Sequence, residues 1–391
     1  MDFYSYIRYI LFPYYSYIPI QIVRIRFSEF FCLCYYIYTT MTQFELKRFP
    51  HNPVLSPKEG SDWEGEAVFN PAVAKSDNGV FMLYRAVGEY SSYISRFGLA
   101  KSDDGVTFER ASERPVFEPA EGYEKWAVED PRATCIDGLW YITYTAVSQR
   151  VLKEGKPILE REVPLETSVA LATTNDFRTF ERLGPISLSR VDDKNAVLFP
   201  EKVNGRYALL HRPQRWTAGW FKNPLSSDIE IPLPGVEPPQ LPSIWISFSD
   251  DLLNWSDHRL LITPSHEHDH RLGAGSPPLR TKAGWLIIYH HVEDKDNGGK
   301  QRERAYTAKA ALLDLNDPTK VIAKLPYDIL VPREEYEKKG DVDNVVFPTG
   351  AFIDNGVLYV YYGAADRHCC VATGEVVHLL DELERCREEE C

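Results

Sequence analysis

Acidic and basic residues flank a proline in the segment WAVEDPRAT, which runs from Trp126 to Thr134. Glu129, Asp130 and Arg132 stand directly ahead of CIDGLWYITYTAV, a pattern that predicts a turn followed by a strand. A carboxylate held beside a strand end can act as a general acid or base. A single Asp before a Pro is more often a turn residue or a cap, so the catalytic interpretation depends on whether polar groups recur at this place in the chain.

The place does recur. Five related segments begin at Ala67 (AVFNPAVAKSDNGVFMLYRAV), Ala127 (AVEDPRATCIDGLWYITYTAV), Asn195 (NAVLFPEKVNGRYALLHRP), Gly273 (GAGSPPLRTKAGWLIIYHHV) and Asn344 (NVVFPTGAFIDNGVLYVYYGAAD). Four of them contain an Asn-Gly or Asp-Gly turn, the strongest short signal for a β-hairpin. A second repeated half, such as FGLAKSDDGVTFER, predicts a third strand, a polar turn and a fourth strand.

Five four-stranded units, spaced by roughly 60 to 80 residues, indicate an all-β fold, a five-bladed β-propeller with a single central catalytic pocket. A solenoid is the alternative for a repeat, but these repeats are long and lack helical filler. Two stacked β-sandwich domains are the other structural alternative. Helix content should be low, and the clearest helical candidate is the tail VVHLLDELERCREEE.

In a propeller the innermost strands surround one channel, so equivalent positions should share a cavity. The polar residues at these positions, before or along the inner strands and at the ends of the following strands, are Asn70, Arg85, Glu129, Asp130, Arg132, Lys194, Asn195, His211, Arg212, Arg271, His290, Asp343, Asn344 and Asp366. Several cations and a few carboxylates would then face one pocket. The structural alternative for each cation is a salt bridge at the surface or between blades.

Composition restricts the partners. The formal net charge of −13 argues against nucleic acid or an anionic membrane surface as the main partner. Seven cysteines, an odd number without metal or disulfide spacing, indicate reduced thiols and a cytoplasmic location. The cluster HEHDH, His266 to His270, is interpreted as a solvated loop, and no metal site is expected.

Residues 1–40 differ from the rest in being rich in Tyr, Ile and Phe. Pro13 and Pro19 interrupt the uncharged run from Tyr9 to Val23, which is shorter than the ~20 residues a spanning helix needs. The segment is interpreted as an N-terminal extension outside the native protein, with a membrane-surface anchor as the alternative. The catalytic domain is therefore predicted to cover residues 41–391, with a helical tail.

The ordered motifs resemble glycoside hydrolase family 130. They are FNPA, EDPR, KNAVLFPEK, LLHRP, GAGSPP with WLIIYHH, and NVVFPTGA with YYGAAD, and the resemblance extends from Met41 to about Val376. That family comprises five-bladed propellers that act on β-mannosides, mostly as phosphorylases. The resemblance thus implies a hexosyltransferase that splits β-mannosides with inorganic phosphate as co-substrate and with no cofactor.

The resemblance also implies roles for individual residues. Asp130 would be the general acid, and phosphate would attack the opposite face of the sugar with inversion, giving α-mannose 1-phosphate. The positions implied for phosphate are Lys194, Asn195, Arg212, Arg271 and His290. The positions implied for holding the sugar or supporting the pocket are Asn70, Arg85, Glu129, Arg132, Tyr306 and Asp366. Two positions depart from the usual family residue, since Lys194 replaces an Arg of several relatives and Arg271 often corresponds to a Lys.

Alternatives remain open. A hydrolase of the same family would need a second carboxylate to activate water, and Glu129 is the candidate. A propeller that binds carbohydrate without catalysis is the third interpretation. The expected substrates are β-1,4-mannooligosaccharides or mannosyl-N-acetylglucosamine, with β-1,2 linkages next, and Tyr90, Trp126, Trp216 and Trp220 are candidate sugar platforms. A homo-oligomer is compatible with the acidic C-terminal helix.

Overall fold

The computed structural model describes residues 43–120, 122–148, 152–153, 156–157, 167–187, 192–214, 239–265, 269–295 and 303–389. The predicted extension, residues 1–40, lies outside them. Within these ranges, no helix is long and apolar enough to cross a membrane.

Strands dominate the described chain. In chain order they are β1 (Lys47–Arg48), β2 (Ala67–Ser76), β3 (Gly79–Val87), β4 (Ser95–Ser102), β5 (Glu109–Arg110), β6 (Ala127–Ile136), β7 (Leu139–Val147), β8 (Leu152–Lys153), β9 (Lys156–Pro157), β10 (Thr167–Thr174), β11 (Glu181–Pro185), β12 (Asp193–Leu198), β13 (Tyr207–Pro213), β14 (Ile244–Ser249), β15 (Trp255–Ile262), β16 (Asp269–Ala274), β17 (Leu279–Arg280), β18 (Trp285–Lys295), β19 (Glu303–Leu313), β20 (Val321–Lys324), β21 (Val346–Asp354), β22 (Val357–Ala364) and β23 (His368–Glu375). The helices are a 3₁₀ turn (Gly122–Glu124), α1 (Glu335–Lys338) and α2 (Val376–Glu389).

Five antiparallel sheets form five blades. Blade 1 is β2-β3-β4-β5, blade 2 is β6-β7-β10-β11, blade 3 is β12-β13-β14-β15, blade 4 is β16-β18-β19-β20 with β17 beside β18, and blade 5 is β21-β22-β23-β1. The first strand of each blade contacts neighbouring blades, as β2 does with β6 and β21. The prediction of an all-β, five-bladed propeller is confirmed, and so is the helical tail.

The predicted hairpin turns connect the first two strands of the blades. Asp137-Gly138, Asn204-Gly205 and Asn355-Gly356 have positive φ at both residues, between 48° and 83°. This is the geometry of a type I′ turn, whose twist matches that of the flanking strands and which Asn-Gly and Asp-Gly adopt readily. Blade 1 differs, because only Gly79 of its turn has a positive φ, at 105°.

Apolar side chains fill the spaces between blades. Strand β6 is buried along nearly its whole length, and Val128 packs with Phe97 and Tyr144 in one cluster shared by blades 1 and 2. A strand covered on both faces cannot alternate apolar and polar residues. The few polar residues on the inner strands therefore stand out against an apolar background.

Blades 1, 2 and 5 share a buried tyrosine–glutamate–arginine group, which we call the staple. A tyrosine of the second strand donates to a buried glutamate that precedes the inner strand, and an arginine of the fourth strand pairs with the same carboxylate. The three staples are Tyr84–Glu64–Arg110, Tyr144–Glu124–Arg182 and Tyr362–Glu337–Arg48, with Tyr Oη to Glu Oε distances of 2.8, 2.5 and 2.8 Å. Each staple joins the inner and outer edges of a blade through one fully hydrogen-bonded carboxylate.

The last blade is closed by the first described strand. Strand β1 pairs with β23, so residues from near the start of the described chain complete a sheet whose other strands come from its end. Arg48 of β1 donates to both carboxylate oxygens of Glu337 at 2.8 Å. Leu379 and Leu383 of α2 are buried in the same core cluster as Phe44 and Leu46.

Candidate active site

Three inner strands carry a bulge at the same place. The pairing register shifts between Phe69 and Ala72, between Glu129 and Arg132, and between Lys194 and Val197. The first of the two residues enclosed by each shift has a left-handed φ, namely Asn70 at 47°, Asp130 at 49° and Asn195 at 57°. Asn and Asp tolerate this conformation best among non-glycine residues. A bulge re-aims the side chain that it carries, which explains why polar groups recur at this point.

Asp130 is held by residues of blade 1. The side-chain Nδ2 of Asn70 donates to Asp130 Oδ1 at 2.8 Å, and Arg85 Nη1 donates to the same oxygen at 3.1 Å. Arg85 Nη2 donates to Glu129 Oε1 at 2.7 Å, and Lys194 Nζ lies 3.8 Å from Glu129 Oε2. Within the described residues the side-chain hydrogen bonds to Asp130 end on Oδ1, and none ends on Oδ2.

Arg132 supports this bulge from beneath. Its Nη1 donates to the backbone oxygen of Asp130 at 2.6 Å, and its Nε donates to the oxygen of Gly275 in blade 4 at 3.2 Å. The guanidinium also lies 5.7 Å from the ring of Phe347 in blade 5. Burial lowers the pKa of Arg132 to about 10. Arg132 therefore links the acid's backbone to two further blades.

A second group of side chains surrounds His290. Asn195 Nδ2 and Arg212 Nη1 lie 3.1 and 3.2 Å from its Nε2. A guanidinium has no acceptor, so Nε2 accepts and the ring proton is on Nδ1. Burial, followed by the charges of Arg212, Arg132 and Arg271, holds the pKa of His290 well below its usual range. His290 is therefore neutral, and its buried Nδ1 donor has no partner among the described residues.

Arg271 completes this group from the inner strand of blade 4. Its charge, after burial, contributes to lowering the pKa of the adjacent His270 to about 4. The group depends on Gly273, because a Cβ there would lie 2.3 Å from His290 Cε1 and 2.4 Å from Asn195 Nδ2. We refer to Lys194, Asn195, Arg212, Arg271 and His290 together as the anion cluster.

Asp366 and Tyr306 lie at the border of these two groups. Asp366 follows β22 with a φ of 49°, and burial raises its pKa to about 7, with Arg85 opposing and Asp130 reinforcing the shift. The ring of Tyr306 is centred 6.4 Å from that of His290. Both residues therefore lie near the residues predicted to form the pocket with them.

Sequence reasoning missed Phe347, Ser276 and Tyr93. Phe347 packs 4.4 Å from the His290 ring. The hydroxyl of Ser276 is buried without a partner among the described residues, and Tyr93 lies 5.7 Å from the guanidinium of Arg85. In the segment NVVFPTGA, Phe347 precedes a proline at the place where the first two copies have Asn-Pro and Asp-Pro. This shared position is the sequence signal by which Phe347 could have been found.

Of the four aromatic residues predicted as sugar platforms, the structure describes Tyr90 and Trp126, and both contact other protein groups. Trp126 donates from its indole nitrogen to Ser92 O at 3.2 Å, and the ring of Tyr90 stacks on that of Tyr93 at 5.9 Å. Trp216 and Trp220 lie outside the described residues. Of the His266–His270 cluster only Asp269 and His270 are described, and Asp269 pairs with His291.

Cations outnumber carboxylates in the assembled site. Arg85, Arg132, Lys194, Arg212 and Arg271 bring five positive charges, against the three carboxylates of Glu129, Asp130 and Asp366. Arg85 and Lys194 are shared with carboxylates, whereas Arg132, Arg212 and Arg271 act together on His290. The arrangement can hold an anion beside a carboxylic acid.

Comparison with known proteins gives concordant matches. A family model described as beta-1,4-mannooligosaccharide phosphorylase matches residues 45–385. A 1,2-beta-oligomannan phosphorylase of Thermoanaerobacter sp. (strain X514) is 38% identical over 342 residues, which cover 85% of this chain and 98% of the relative. A beta-1,4-mannooligosaccharide phosphorylase of Ruminococcus albus is 29% identical over 345 residues, covering 85% and 89%. The solved β-1,2-mannobiose phosphorylase from Listeria innocua, in complex with β-1,2-mannobiose, aligns with a TM-score of 0.67 and 28% identity over 87% of this chain and 99% of the other.

Proposed function

The chain belongs to glycoside hydrolase family 130, and from that premise we propose that it is an inverting phosphorylase that converts β-mannosides into α-mannose 1-phosphate. The observation that carries the proposal is the anion cluster, with its neutral His290, beside an acid on a bulge. Both parts come from residues that the sequence analysis had assigned to one pocket.

Asp130 supplies the proton. Its protonated carboxyl gives the proton to the glycosidic oxygen, directly or through a sugar hydroxyl, as the bond from that oxygen to the anomeric carbon breaks. The Arg85 guanidinium and the Asn70 side-chain amide donate to Oδ1 and orient the acid. A positioned general acid contributes about 10²–10⁴-fold to a rate.

Phosphate supplies the nucleophile. One of its oxygens forms the new bond to the anomeric carbon on the face opposite the leaving oxygen, which inverts the configuration. Phosphate is already an anion, so it requires orientation by cationic donors and no general base. Arg212 and Arg271 provide the charge, and His290 provides an N–H donor without adding charge.

Hydrolysis fits the site less well. An inverting hydrolase uses an ionised base to activate water on the far face of the sugar. Glu129 is 3% exposed, bonds to Arg85 at 2.7 Å and lies 3.8 Å from Lys194. Because its oxygens already face Arg85 and Lys194, Glu129 serves better as a support for Arg85 than as the group that activates water.

The linkage is proposed on the relatives. Identity is higher to the relative named for 1,2-β-oligomannan, at 38%, than to the relative named for β-1,4-mannooligosaccharides, at 29%. We therefore place β-1,2-linked mannosides first for testing, ahead of the β-1,4-linked substrates that the sequence analysis expected.

The deciding experiment incubates the full chain with β-1,2-mannobiose and β-1,4-mannobiose, with and without inorganic phosphate, and measures mannose 1-phosphate and free mannose. Phosphate-dependent formation of mannose 1-phosphate from either substrate supports the proposal. Free mannose formed at equal rates without phosphate would replace it with hydrolysis. The absence of product from both sugars, in protein that is folded, would favour the binding propeller.

A further inference from the structure

A line of polar side chains, buried except for the half-buried His258, crosses blade 3. Each of its four strands contributes one member, in the order Asp193, His211, Ser247 and His258. The links are His211 Nδ1 to Asp193 Oδ2, His211 Nε2 to Ser247 Oγ, and Ser247 Oγ to His258 Nδ1, each at 2.6 Å. Asp193 and His211 side chains are each 4% exposed, and Ser247 is fully buried.

Blade 4 contains a corresponding line. His291 Nε2 lies 2.6 Å from Asp269 Oδ1, and His291 stands opposite Thr307 on the neighbouring strand. Thr307 Oγ1 donates to Asp328 Oδ1 at 2.8 Å and lies 3.5 Å from His291 Nδ1. Two adjacent blades thus share the sequence of carboxylate, imidazole and hydroxyl from the inner strand outward.

Both lines lie directly behind the anion cluster. In blade 3, Asp193 precedes Lys194 and His211 precedes Arg212. In blade 4, Asp269 stands two residues before Arg271, and His291 follows His290. All five cluster residues are therefore within two positions of a member of a buried Asp–His pair.

The staples of the other blades do not have this composition. In blades 1, 2 and 5 the corresponding buried hydrogen bonds join a tyrosine to a glutamate. In blade 3, His211 directly precedes Arg212 just as the staple tyrosine Tyr84 precedes Arg85 in blade 1, so an imidazole replaces the tyrosine there. In blade 4, Tyr289 keeps that position and the imidazole is His291, two residues further along β18. Both blades that carry the anion cluster therefore contain a buried imidazole paired with a carboxylate.

We propose that the Asp193–His211 and Asp269–His291 pairs are positioning residues that hold the anion cluster in the geometry that binds phosphate. This inference rests on the proposed phosphorolysis. Successive side chains of a strand point to opposite faces, so a pair fixed on one face sets the height and rotation of its neighbours on the other. Three cations of the cluster, Lys194, Arg212 and Arg271, would repel one another without an anion between them, and such a group needs rigid support.

Both ring nitrogens of His211 are held. Nδ1 lies 2.6 Å from Asp193 Oδ2, and Nε2 lies 2.6 Å from Ser247 Oγ, which is itself 2.6 Å from His258 Nδ1. Burial is the main cause that lowers the pKa of His258 to about 4. With a partner at each nitrogen, the ring of His211 is fixed in one orientation.

The test replaces members of each line and follows phosphate separately from sugar. Asp193→Asn and Thr307→Val interrupt the lines of blades 3 and 4, and Tyr362→Phe removes one staple hydrogen bond in blade 5 as the matched control. The dissociation constant of inorganic phosphate is measured on the full chain by titration calorimetry, together with the KM values for phosphate and mannoside, kcat and Tm.

We expect the dissociation constant and KM for phosphate to rise by about tenfold in the two line variants, as for other residues that orient ligands from behind, with KM for the mannoside unchanged. Tyr362→Phe should lower Tm and leave phosphate binding as in the wild type. If Asp193→Asn fails to fold, Ser247→Ala takes its place.

Unchanged phosphate affinity in both line variants, in an enzyme that still forms mannose 1-phosphate, would overturn the positioning role alone. Equal losses of phosphate affinity in Tyr362→Phe would also overturn it, because any weakened blade would then have the same effect. A wild-type chain that binds no phosphate would overturn the proposed function and this inference together.

Discussion

At the scale of single residues, the hydrogen bonds of Asp130 predict a defect that depends on the leaving group. Asp130→Asn keeps the size and the left-handed φ of 49° but cannot donate the proton. We expect kcat on mannobiose to fall by about 10²–10⁴-fold. A 2,4-dinitrophenyl β-mannoside, whose phenolate leaves without protonation, should lose much less activity.

Asp137→Asn is the matched control for that experiment. Asp137 lies in the same blade, has a φ of 52° and is exposed in the hairpin turn. Its substitution should leave both substrates unaffected. Equal losses on the activated and natural substrates in Asp130→Asn would contradict the acid role and would point to a structural one.

Asp366 predicts a change of stability with pH. Its pKa is raised from 3.8 to about 7, mainly by burial, so between these values the folded protein holds a proton that the unfolded chain has released. Stability therefore decreases as pH rises from about 4 to 7 and levels off above. Asp366→Asn removes this loss, and the Tm of the variant relative to the wild type should increase from pH 4 to pH 8. If the Tm of the variant minus the Tm of the wild type stays constant or falls over that range, Asp366 is ionised when folded.

At the scale of elements, the bulged inner strands and Gly273 build the anion cluster. In Gly273→Ala the new Cβ would overlap His290 and Asn195, which are both buried. Overpacking of this kind costs about 1–3 kcal/mol. We expect KM for phosphate to rise and Tm to fall, whereas Gly122→Ala, whose Cβ would meet nothing within 4 Å, should change neither. A normal KM for phosphate in Gly273→Ala would show that the contact between His290 and Asn195 is dispensable.

The same elements show what the sequence can predict. Repeated Asn-Gly and Asp-Gly turns fix the hairpins, because these residue pairs adopt positive φ at little cost, and so the blades and the polar register followed from local pattern. The staples did not follow, because Glu64 and Arg110 belong to segments 46 residues apart and no local rule joins them. Phe347 was missed since an aromatic residue in a strand usually packs in a core.

At the scale of the whole molecule, closure of the ring depends on β1. Without residues before His51, blade 5 loses its fourth strand, the core loses Phe44 and Leu46, and Glu337 stays buried without Arg48. Leaving a buried charge unpaired costs about 3–5 kcal/mol, and each lost core side chain costs about 2–5 kcal/mol. Together these losses reach the ~5–15 kcal/mol by which a domain is stable.

Two truncated proteins therefore test how the ring closes and where the catalytic domain begins. A protein starting at Met41 retains every one of these contacts, and we expect it to be soluble and to form mannose 1-phosphate at the rate of the full chain. A protein starting at His51 should be insoluble or unfolded by circular dichroism. In the full-length chain, Arg48→Met should lower Tm while leaving KM for phosphate unchanged, because Glu337 lies in a staple and apart from the anion cluster. A folded, active protein starting at His51 would show that four complete blades and a three-stranded fifth blade are enough for folding. Packing between blades, and not pairing with β1, would then close the ring.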